Sequence, residues 1–334
     1  MVDTMRALVC PELGGEEVLR VDDVPLPTCG SSDVRIAVHA AAVNFPDCLV
    51  IRGQYQNRQE PPFVPGHEVA GEVLEVGADI DDLAVGDRVL AMPGVGGFAQ
   101  EVVFDVSGSG RANLHRIPDA MPYDEAAGFS LTYGTGLHAF KRGGLQPGES
   151  VLVLGAAGGC GSAAVQVAKA MGAYVIGAAS SPEKLAIAEQ CGADAVVDYR
   201  TESVSERVKE LTDGAGVDVV FDPVGGSDFR EYLRALAWNG RYLVVGFAGG
   251  EIPQLGLNLV LLKSISVVGV AYGSSVARDA ATNVDDYAQL TRWYDEGKLS
   301  TVIGQRFPLE QAADALRVVH DRAALGKVVV DIAP

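Results

Sequence analysis

The sequence predicts an α/β protein in which a doubly wound parallel sheet is inserted into a β-rich domain. Between Ser150 and Tyr199, short apolar runs alternate with segments of helical spacing, the pattern of a parallel sheet with connecting helices. Before residue 126 the chain instead has short alternating strands separated by Gly/Pro turns. Ala126 to Phe140 is a predicted helix; after residue 264 come two amphipathic helices, Asp285 to Glu296 and Leu309 to Val319, and a final apolar run, which we expect to rejoin the first domain. The predicted domains are residues 1–125, 126–264 and 265–334.

A glycine-rich turn joins the first strand and helix of the alternating region. Val151 to Leu154 is a continuous apolar run, as expected for a strand buried on both faces, and the turn G-A-A-G-G-C-G follows from Gly155. Glycines let the backbone approach a ligand, and the next helix offers free N–H groups to a phosphate. A ligand-free turn would also favour glycine, and the spacing is one residue longer than G-x-G-x-x-G. We interpret the turn as a dinucleotide site formed by Ala157, Gly158, Gly159, Cys160 and Gly161.

The end of the second predicted strand distinguishes NAD from NADP. NAD sites usually carry an acidic residue about 20 positions after the glycines, where it binds the ribose 2′-hydroxyl. This chain has Ala178-Ala-Ser-Ser181 there, so no carboxylate repels a 2′-phosphate. Hydroxyls and cations that suit a phosphate follow nearby, although Glu183 opposes them and ordinary solvated side chains are the alternative. We therefore predict NADPH, bound by Ser180, Lys184, Tyr199 and Arg200.

Composition and charge argue against several classes of function. The chain has 334 residues and a net charge of −18, which disfavours binding to nucleic acids or anionic membranes. No apolar run approaches the roughly 18 residues of a membrane span. The five cysteines are scattered without a C-x-x-C pair, which is typical of reduced thiols in a cytoplasmic protein.

A series of motifs along nearly the whole chain resembles the medium-chain dehydrogenase/reductase superfamily, and within it the zinc-free NADPH:quinone oxidoreductase branch that includes zeta-crystallin. The motifs are Ala42-Val-Asn-Phe-Pro-Asp47, Arg52-Gly-Gln-Tyr55, Pro65-Gly-His-Glu-Val-Ala-Gly71, Val85-Gly-Asp-Arg-Val89, Leu131-Thr-Tyr-Gly-Thr135, Ala156-Ala-Gly-Gly-Cys-Gly161, Val219-Val-Phe-Asp222 and Gly326-Lys-Val-Val-Val330. The resemblance implies a Rossmann domain inserted into a GroES-like catalytic domain.

The resemblance also implies roles for residues outside the glycine turn. It places Asn44 near the nicotinamide ribose and substrate, and Tyr55 at the mouth of the cleft, where related enoyl reductases carry a tyrosine proton donor. It makes Thr135 a nicotinamide contact, Phe247 part of a lid over the nicotinamide, and Arg322 a cofactor ligand. The alternatives are that Asn44 caps a turn, Tyr55 is a pocket wall and Thr135 is an ordinary helix-entry threonine. Phe247 and Arg322 have equally plausible structural roles.

His67 and Glu68 raise the question of a metal, because zinc members of the superfamily use this G-H-E motif. Those members place a first cysteine ligand where this chain has Asn44 and a second near Leu131, and their four-cysteine structural lobe is missing here. A catalytic zinc takes three protein ligands, so we predict no metal. We interpret His67 as a leftover of the motif or a polar residue lining the cleft, and Cys48 as a small buried thiol.

These observations lead to a functional prediction with two alternatives. We predict an NADPH-dependent oxidoreductase that transfers hydride to a quinone or an α,β-unsaturated carbonyl without zinc. One alternative is an enoyl-thioester reductase in which Arg52 and Arg58 bind the phosphates of coenzyme A. The other is a non-catalytic NADPH-binding protein, since fold alone does not fix function. We also expect a homodimer, formed through the apolar strand within residues 264–272.

Overall fold

The computed structural model describes residues 3–332, and the chain divides into two compact units. The first unit contains residues up to 131, residues 274–291 and residues from 300 onward. The second unit contains residues 132–273 and 292–299.

The elements are numbered in chain order. The strands are β1 Thr4–Val9, β2 Arg20–Pro25, β3 Asp33–Val43, β4 Glu68–Val76, β5 Arg88–Ala91, β6 Glu101–Asp105, β7 Leu114–Arg116, β8 Ser150–Leu154, β9 Tyr174–Ala179, β10 Ala195–Asp198, β11 Val217–Asp222, β12 Leu236–Val244, β13 Ser266–Gly269, β14 Ile303–Pro308 and β15 Lys327–Asp331. The α-helices are α1 Phe45–Ile51, α2 Tyr123–Ala127, α3 Ser130–Arg142, α4 Gly159–Ala170, α5 Pro182–Gln190, α6 Val204–Leu211, α7 Phe229–Ala235, α8 Leu257–Lys263, α9 Tyr272–Arg278, α10 Ala280–Asp295 and α11 Ala312–His320.

The first unit is built on a largely antiparallel sheet in the order β14-β15-β3-β4-β5-β7, with β6 also paired to β3. Alternate residues of β3, namely Val34, Ile36 and Val38, are buried in a core that also contains Leu316 of α11. This alternation is the period of a strand with one face toward the core. The C-terminal strand β15 therefore lies directly beside β3, although most of the chain separates them.

The second unit contains a six-stranded parallel sheet in the order β10-β9-β8-β11-β12-β13. Strand β8 is central and almost wholly buried, since helices cover both faces of a parallel sheet. The chain goes from β8 to β9 on one side and later returns to β11 on the other. This doubly wound sheet, inserted into a β-rich unit, confirms the predicted fold class.

The structure corrects one predicted helix. The segment from Ala126 to Phe140 was expected to be continuous, but α2 ends at Ala127 and α3 begins at Ser130. A Cβ on the intervening Gly128 would lie 2.8 Å from Cγ of Lys327. Glycine thus makes room for the lysine stem, a tertiary requirement that helical spacing does not reveal. Helices α8 and α9 were not predicted, and α10 begins at Ala280 rather than Asp285.

None of the helices within residues 3–332 combines the length and the apolar character that crossing a membrane requires.

Candidate functional site

The glycine turn connects β8 to α4 as predicted. Gly155 has φ +61°, a left-handed conformation that glycine adopts without penalty. A Cβ on Gly161 would lie 2.1 Å from the carbonyl oxygen of Gly155, so only glycine lets the helix start pack against the turn. Ala157 is buried, while Gly158, Gly159 and Cys160 remain partly exposed at the helix N-terminus. The first N–H groups of a helix have no partner within it and point outward, as an anion site requires.

The turn lies at the switch point of the parallel sheet. Because β8 has β9 on one side and β11 on the other, connections leave it in both directions. Ligands of doubly wound sheets bind in the crevice outside the carboxyl ends of strands at such a point. The N–H groups at the glycine-rich start of the twelve-residue helix α4 are donors that fit the phosphates of a dinucleotide.

Ser180, Lys184 and Tyr199 come together beside the turn, at the ends of β9 and β10. Ser180 follows β9, and the N–H of Tyr199 donates to the carbonyl oxygen of Ala179, 3.2 Å away. Oγ of Ser181 accepts from the N–H of Lys184 at 3.3 Å and so starts α5. The side chains of Ser180, Lys184 and Tyr199 carry a hydroxyl, an ammonium and a phenol, groups of the kind that bind a phosphate. Arg200, next to Tyr199, is exposed.

A buried carboxylate on the other side of β8 was not predicted as a site feature. Oδ1 of Asp222, at the end of β11, accepts from the N–H groups of Val224 and Gly225 at 2.7 and 2.8 Å. Its Oδ2 accepts from the hydroxyl of Tyr242. Burial raises the pKa of Asp222, and these hydrogen bonds oppose the rise. Asp222 therefore anchors the loop that follows β11.

Phe247, expected to form a lid, lies in the loop after β12 and is about one-third exposed. A Cβ on Gly225 would lie 2.9 Å from Cδ1 of Phe247, so the ring packs against the backbone of the loop that Asp222 anchors. The loop and ring thus adjoin within the second unit, and the expected lid role stays a prediction.

In the first unit, a buried polar group that we call the Lys327 cluster comprises Asn44, Glu68 and Lys327. The Lys327 ammonium lies 3.0 Å from Oε1 of Glu68 and donates to Oδ1 of Asn44. Oε2 of Glu68 accepts from the N–H of Leu131 at 3.0 Å, and Nδ2 of Asn44 donates to the carbonyl oxygen of Ala42. Lys327 is 3% exposed and Glu68 1%, so the ion pair is fully buried.

Strand register assembles this cluster. Glu68 begins β4 and pairs with Ala42 of β3, while Asn44 directly follows β3. Lys327 begins β15, where Val328 pairs with Val43. Burial raises the pKa of Glu68, and the Lys327 ammonium and the Leu131 amide oppose that shift. The arrangement holds the Asn44 amide in one orientation.

His67, which is partly exposed, and Asp47, which is buried, form a second polar pair next to this cluster. Asp47, in the first turn of α1, is fully buried and accepts from the N–H of Asn44 at 2.8 Å. Its Oδ1 lies 2.6 Å from Nδ1 of His67. The ring of Tyr55 meets the His67 ring edge-on, with centroids 5.6 Å apart. Sequence analysis missed Asp47 and Lys327, and gave His67 no defined role.

The electrostatic surroundings shift the pKa values of both His67 and Tyr55. Burial lowers the pKa of His67, but the Asp47 carboxylate raises it, Glu68 adds to the rise and Lys327 opposes it, so the net shift is upward. Burial raises the pKa of the Tyr55 phenol, and the charge of Asp47 adds to that effect. The histidine is thus favoured in its charged form, whereas the tyrosine is a weaker acid than usual.

The remaining predicted residues have varied positions. Thr135 lies in the middle of α3, so the alternative of a helix-entry threonine is wrong. Arg322 follows α11, is exposed and has φ +58°.

The two arginines of the coenzyme A alternative differ in their surroundings. Arg52 pairs with Oε2 of Glu16 at 2.7 Å, while Arg58 is exposed. Cys48 is buried, as expected, and burial raises the pKa of its thiol.

The G-H-E motif offers few donors for a zinc ion. Glu68 is engaged by Lys327, and Nδ1 of His67 is engaged by Asp47, which leaves Nε2 as the ring nitrogen for a ligand. Asn44 stands where the resemblance places the first cysteine ligand, and Leu131 lies near the place it implies for the second. Across residues 3–332, no three side chains of His, Cys, Asp or Glu are grouped so that they could hold a metal.

Comparisons with known proteins agree with this architecture. Residues 30–119 match the alcohol dehydrogenase GroES-like domain family, and residues 159–294 match the zinc-binding dehydrogenase family. The chain is 41% identical over 330 residues to the quinone oxidoreductase-like protein 2 homolog of Nematostella vectensis, covering 98% of this chain and 88% of that protein.

Two solved structures extend the similarity to the fold. A mycobacterial protein complexed with NADPH superposes with a TM-score of 0.89 at 31% identity, covering 98% of this chain and 99% of that one. The Escherichia coli quinone oxidoreductase complexed with NADPH gives a TM-score of 0.87 at 26% identity, with the same coverage. The chain therefore belongs to the medium-chain dehydrogenase/reductase superfamily, in its quinone oxidoreductase-like branch.

Proposed function

We propose that this protein is an NADPH-dependent oxidoreductase that reduces quinones or related α,β-unsaturated carbonyls by hydride transfer, without zinc. The observation that carries the proposal is the glycine turn at the switch point with Ser180, Lys184 and Tyr199 beside it and no acidic residue at the end of β9. The two similar structures that contain NADPH support the same cofactor.

The proposed cofactor residues divide by the part of the dinucleotide they bind. The turn residues Ala157, Gly158, Gly159, Cys160 and Gly161 offer backbone N–H groups to the pyrophosphate. Ser180, Lys184 and Tyr199 bind the 2′-phosphate through hydroxyl and ammonium donors. Phe247 and Arg322 remain proposed contacts. When bound, the cofactor supplies the hydride.

We assign the acceptor to the part of the first unit around Asn44 and Tyr55, and keep Thr135 as a proposed nicotinamide contact. Lys327 fixes the Oδ1 end of the Asn44 amide, so this side chain is pre-oriented before any ligand arrives. A conjugated acceptor is already electrophilic, so its reduction does not need a metal to polarise it. The domain boundaries after residues 125 and 264 are part of the same proposal.

The enoyl-thioester alternative receives less support from the structure. It assigned Arg52 and Arg58 to the phosphates of coenzyme A, but Arg52 is half-buried and paired with Glu16. Its second hydrogen bond goes to the carbonyl oxygen of Cys48, 2.9 Å away. Of the two arginines, only Arg58 is exposed.

We also propose a homodimer that works in the reducing cytoplasm. Helix α8 exposes Leu257 and Leu261 at 79% and Leu262 at 68%, beside β13, the last strand of the sheet. Exposed leucines next to an open strand edge favour pairing with a second copy. Light scattering tests this proposal, and a monomer would contradict it. No disulfide joins cysteines within residues 3–332, consistent with a reducing compartment.

The first experiment is NADPH oxidation by the purified protein with a panel of quinones, a simple enone, crotonyl-CoA and acryloyl-CoA. We expect turnover with quinones or the enone and little with the thioesters. Preference for a CoA ester would move the function to enoyl reduction. Binding of NADPH without any turnover would support the non-catalytic alternative.

A matched pair of lysine variants tests the choice of cofactor. Lys184→Ala removes an ammonium from the first turn of α5, and we expect NADPH affinity to fall about tenfold with NADH affinity unchanged, since a charge-assisted hydrogen bond contributes about 1.5–3 kcal/mol. Lys209→Ala, on the exposed side of α6, is the control. Equal affinities for NADPH and NADH in the unmodified protein would refute the phosphate site.

Elemental analysis tests the proposal that the protein works without zinc. One zinc per chain would refute it.

A further inference from the structure

The pair of Asp47 and His67 has the geometry of an oriented acid. Nδ1 of His67 is 2.6 Å from the fully buried Asp47 carboxylate, which is itself held by the N–H of Asn44. Because Nδ1 is engaged, Nε2 is the nitrogen left for a ligand. The His67 side chain keeps 16% of its surface exposed, unlike Asp47, so the ring is accessible from one side. A buried carboxylate behind a partly exposed imidazole fixes both its tautomer and its direction.

We propose that His67 is the proton donor of the reduction and that Asp47 is its positioning residue. This inference rests on the proposed function, whose failure would be visible separately. With an enone, the C4–H bond of NADPH breaks and its electron pair forms a C–H bond at the β-carbon, which oxidises NADPH to NADP⁺ and leaves an enolate. The Nε2–H bond of His67 breaks as the proton goes to the enolate, and the neutral imidazole regains a proton from solvent. With a quinone, the proton goes to the anionic oxygen of the hydroquinone.

The charged groups around His67 fit this role. Asp47 and Glu68 favour the imidazolium, whereas Lys327 and burial disfavour it, and the net effect is a pKa above the ordinary value. The raised pKa favours the protonated imidazole near neutral pH, and this is the form that can give a proton to the acceptor. Tyr55 faces the ring edge-on and is uncharged at that pH.

Tyr55 and Lys327, the other nearby side chains with a proton to give, are less suited to protonate the acceptor. Burial and the charge of Asp47 raise the pKa of the Tyr55 phenol, which makes it a weaker acid than His67. Tyr55 instead packs against the imidazole as a wall. Lys327 is 3% exposed, and its ammonium already contacts Glu68 and Asn44.

The chain offers a matched control for the test. His320 forms a second histidine–aspartate pair with Asp321, at 3.4 Å, but both side chains are exposed. His320→Gln should leave turnover unchanged. His67→Gln should lower kcat about 10²-fold or more, the usual contribution of a general acid, while NADPH binding through the glycine turn stays intact and urea denaturation checks that the variant is folded.

The decisive readout is the stereochemistry of protonation. An α-substituted enone reduced in D₂O should carry deuterium on one face of the α-carbon with the unmodified protein, and on both faces with His67→Gln. Tyr55→Phe should keep the one-face product even if it slows turnover. Added imidazole should partly restore the rate of His67→Ala.

The pH profile provides a second readout. In the unmodified protein kcat/KM should fall as pH rises through the raised pKa of His67, because the donor is lost. In Asp47→Asn the fall should begin at lower pH, since the carboxylate that raises this pKa is gone. One-face deuteration by His67→Gln, or mixed deuteration by Tyr55→Phe alone, would overturn the inference. An unmodified protein with no turnover on any acceptor would instead refute the proposed function.

Discussion

Glu68 in the first unit and Asp222 in the second are buried carboxylates at strand termini, and different partners balance them. Glu68, at the start of β4, faces the ammonium of Lys327 and the N–H of Leu131. Asp222, at the end of β11, accepts only from neutral donors, two backbone N–H groups and the Tyr242 hydroxyl. A cation that neutralises a buried charge cannot be removed without leaving that charge uncompensated, whereas a lost hydroxyl leaves other donors in place. The first unit is therefore expected to depend more on a single side chain than the second.

The largest effect should come from breaking the ion pair. Lys327→Met leaves Glu68 buried without its cation, and we expect a loss of about 3–5 kcal/mol in the free energy of unfolding, measured by urea denaturation. The double variant Lys327→Met with Glu68→Gln should recover part of that loss, because no charge then stays buried. A loss below about 1 kcal/mol in Lys327→Met would show that the comparison is wrong.

Removing the Tyr242 hydroxyl that donates to Asp222 should lower the free energy of unfolding by less. Tyr242→Phe leaves Oδ2 of Asp222 without its donor, and we expect a loss of about 1–3 kcal/mol in the same assay. Tyr174→Phe changes an exposed tyrosine of the same sheet and should be nearly neutral. If the Tyr242 variant lost more than Lys327→Met, the neutral donors would be the more important partners.

A smaller effect should appear as a pH dependence. Because burial raises the folded pKa of Asp222 above its ordinary value of 3.8, the protonated form is favoured in the folded state. The stability that Asp222 contributes is then present at lower pH and declines as pH rises through the raised pKa. The difference in unfolding free energy between the unmodified protein and Asp222→Asn should shrink over that range. A difference that grows with pH would mean that Asp222 is mainly stabilised as the anion.

The smallest effect should come from an ion pair without burial. Arg317 and Asp314 on α11 are 2.6 Å apart, but about half of each side chain is exposed. Arg317→Ala should lower the unfolding free energy by less than about 0.5 kcal/mol, because water and salt screen exposed pairs. A loss comparable to that of Lys327→Met would show that charge pairing itself, rather than burial, determines how much unfolding free energy is lost.

The sequence predicted the second unit better than the polar groups of the first. The strand β8, its glycine turn and α4 follow one another in the chain, so their requirements appear as a local pattern. The Lys327 contact with Asn44 joins residues 283 positions apart, and nothing around Lys327 distinguishes it from a solvated lysine at a strand start. Gly128 illustrates the same limit, because its purpose is visible only when Lys327 lies beside it.

The pairing of Asp47 with His67 was missed for a related reason. The two residues are 20 positions apart and belong to different motifs, and the G-H-E motif drew attention to metal ligation instead. Asp47 lies in α1, which follows β3, and His67 directly precedes β4. Which Asp47 oxygen contacts which His67 nitrogen therefore depends on how β3 and β4 pair in the assembled sheet.

The late position of β15 also imposes an order on events at the ribosome. Residues 40–43 of β3 acquire their partners, residues 328–331, only when almost the whole chain has been synthesised. Until β15 is made, the nascent first unit carries an open strand edge and a glutamate that lacks its cation, although all residues of the second unit precede β15 in the chain. An open edge on an unfinished sheet invites wrong pairing between neighbouring chains. Polysomes translating this protein would thus need a chaperone most between the emergence of β3 and the arrival of the last strand.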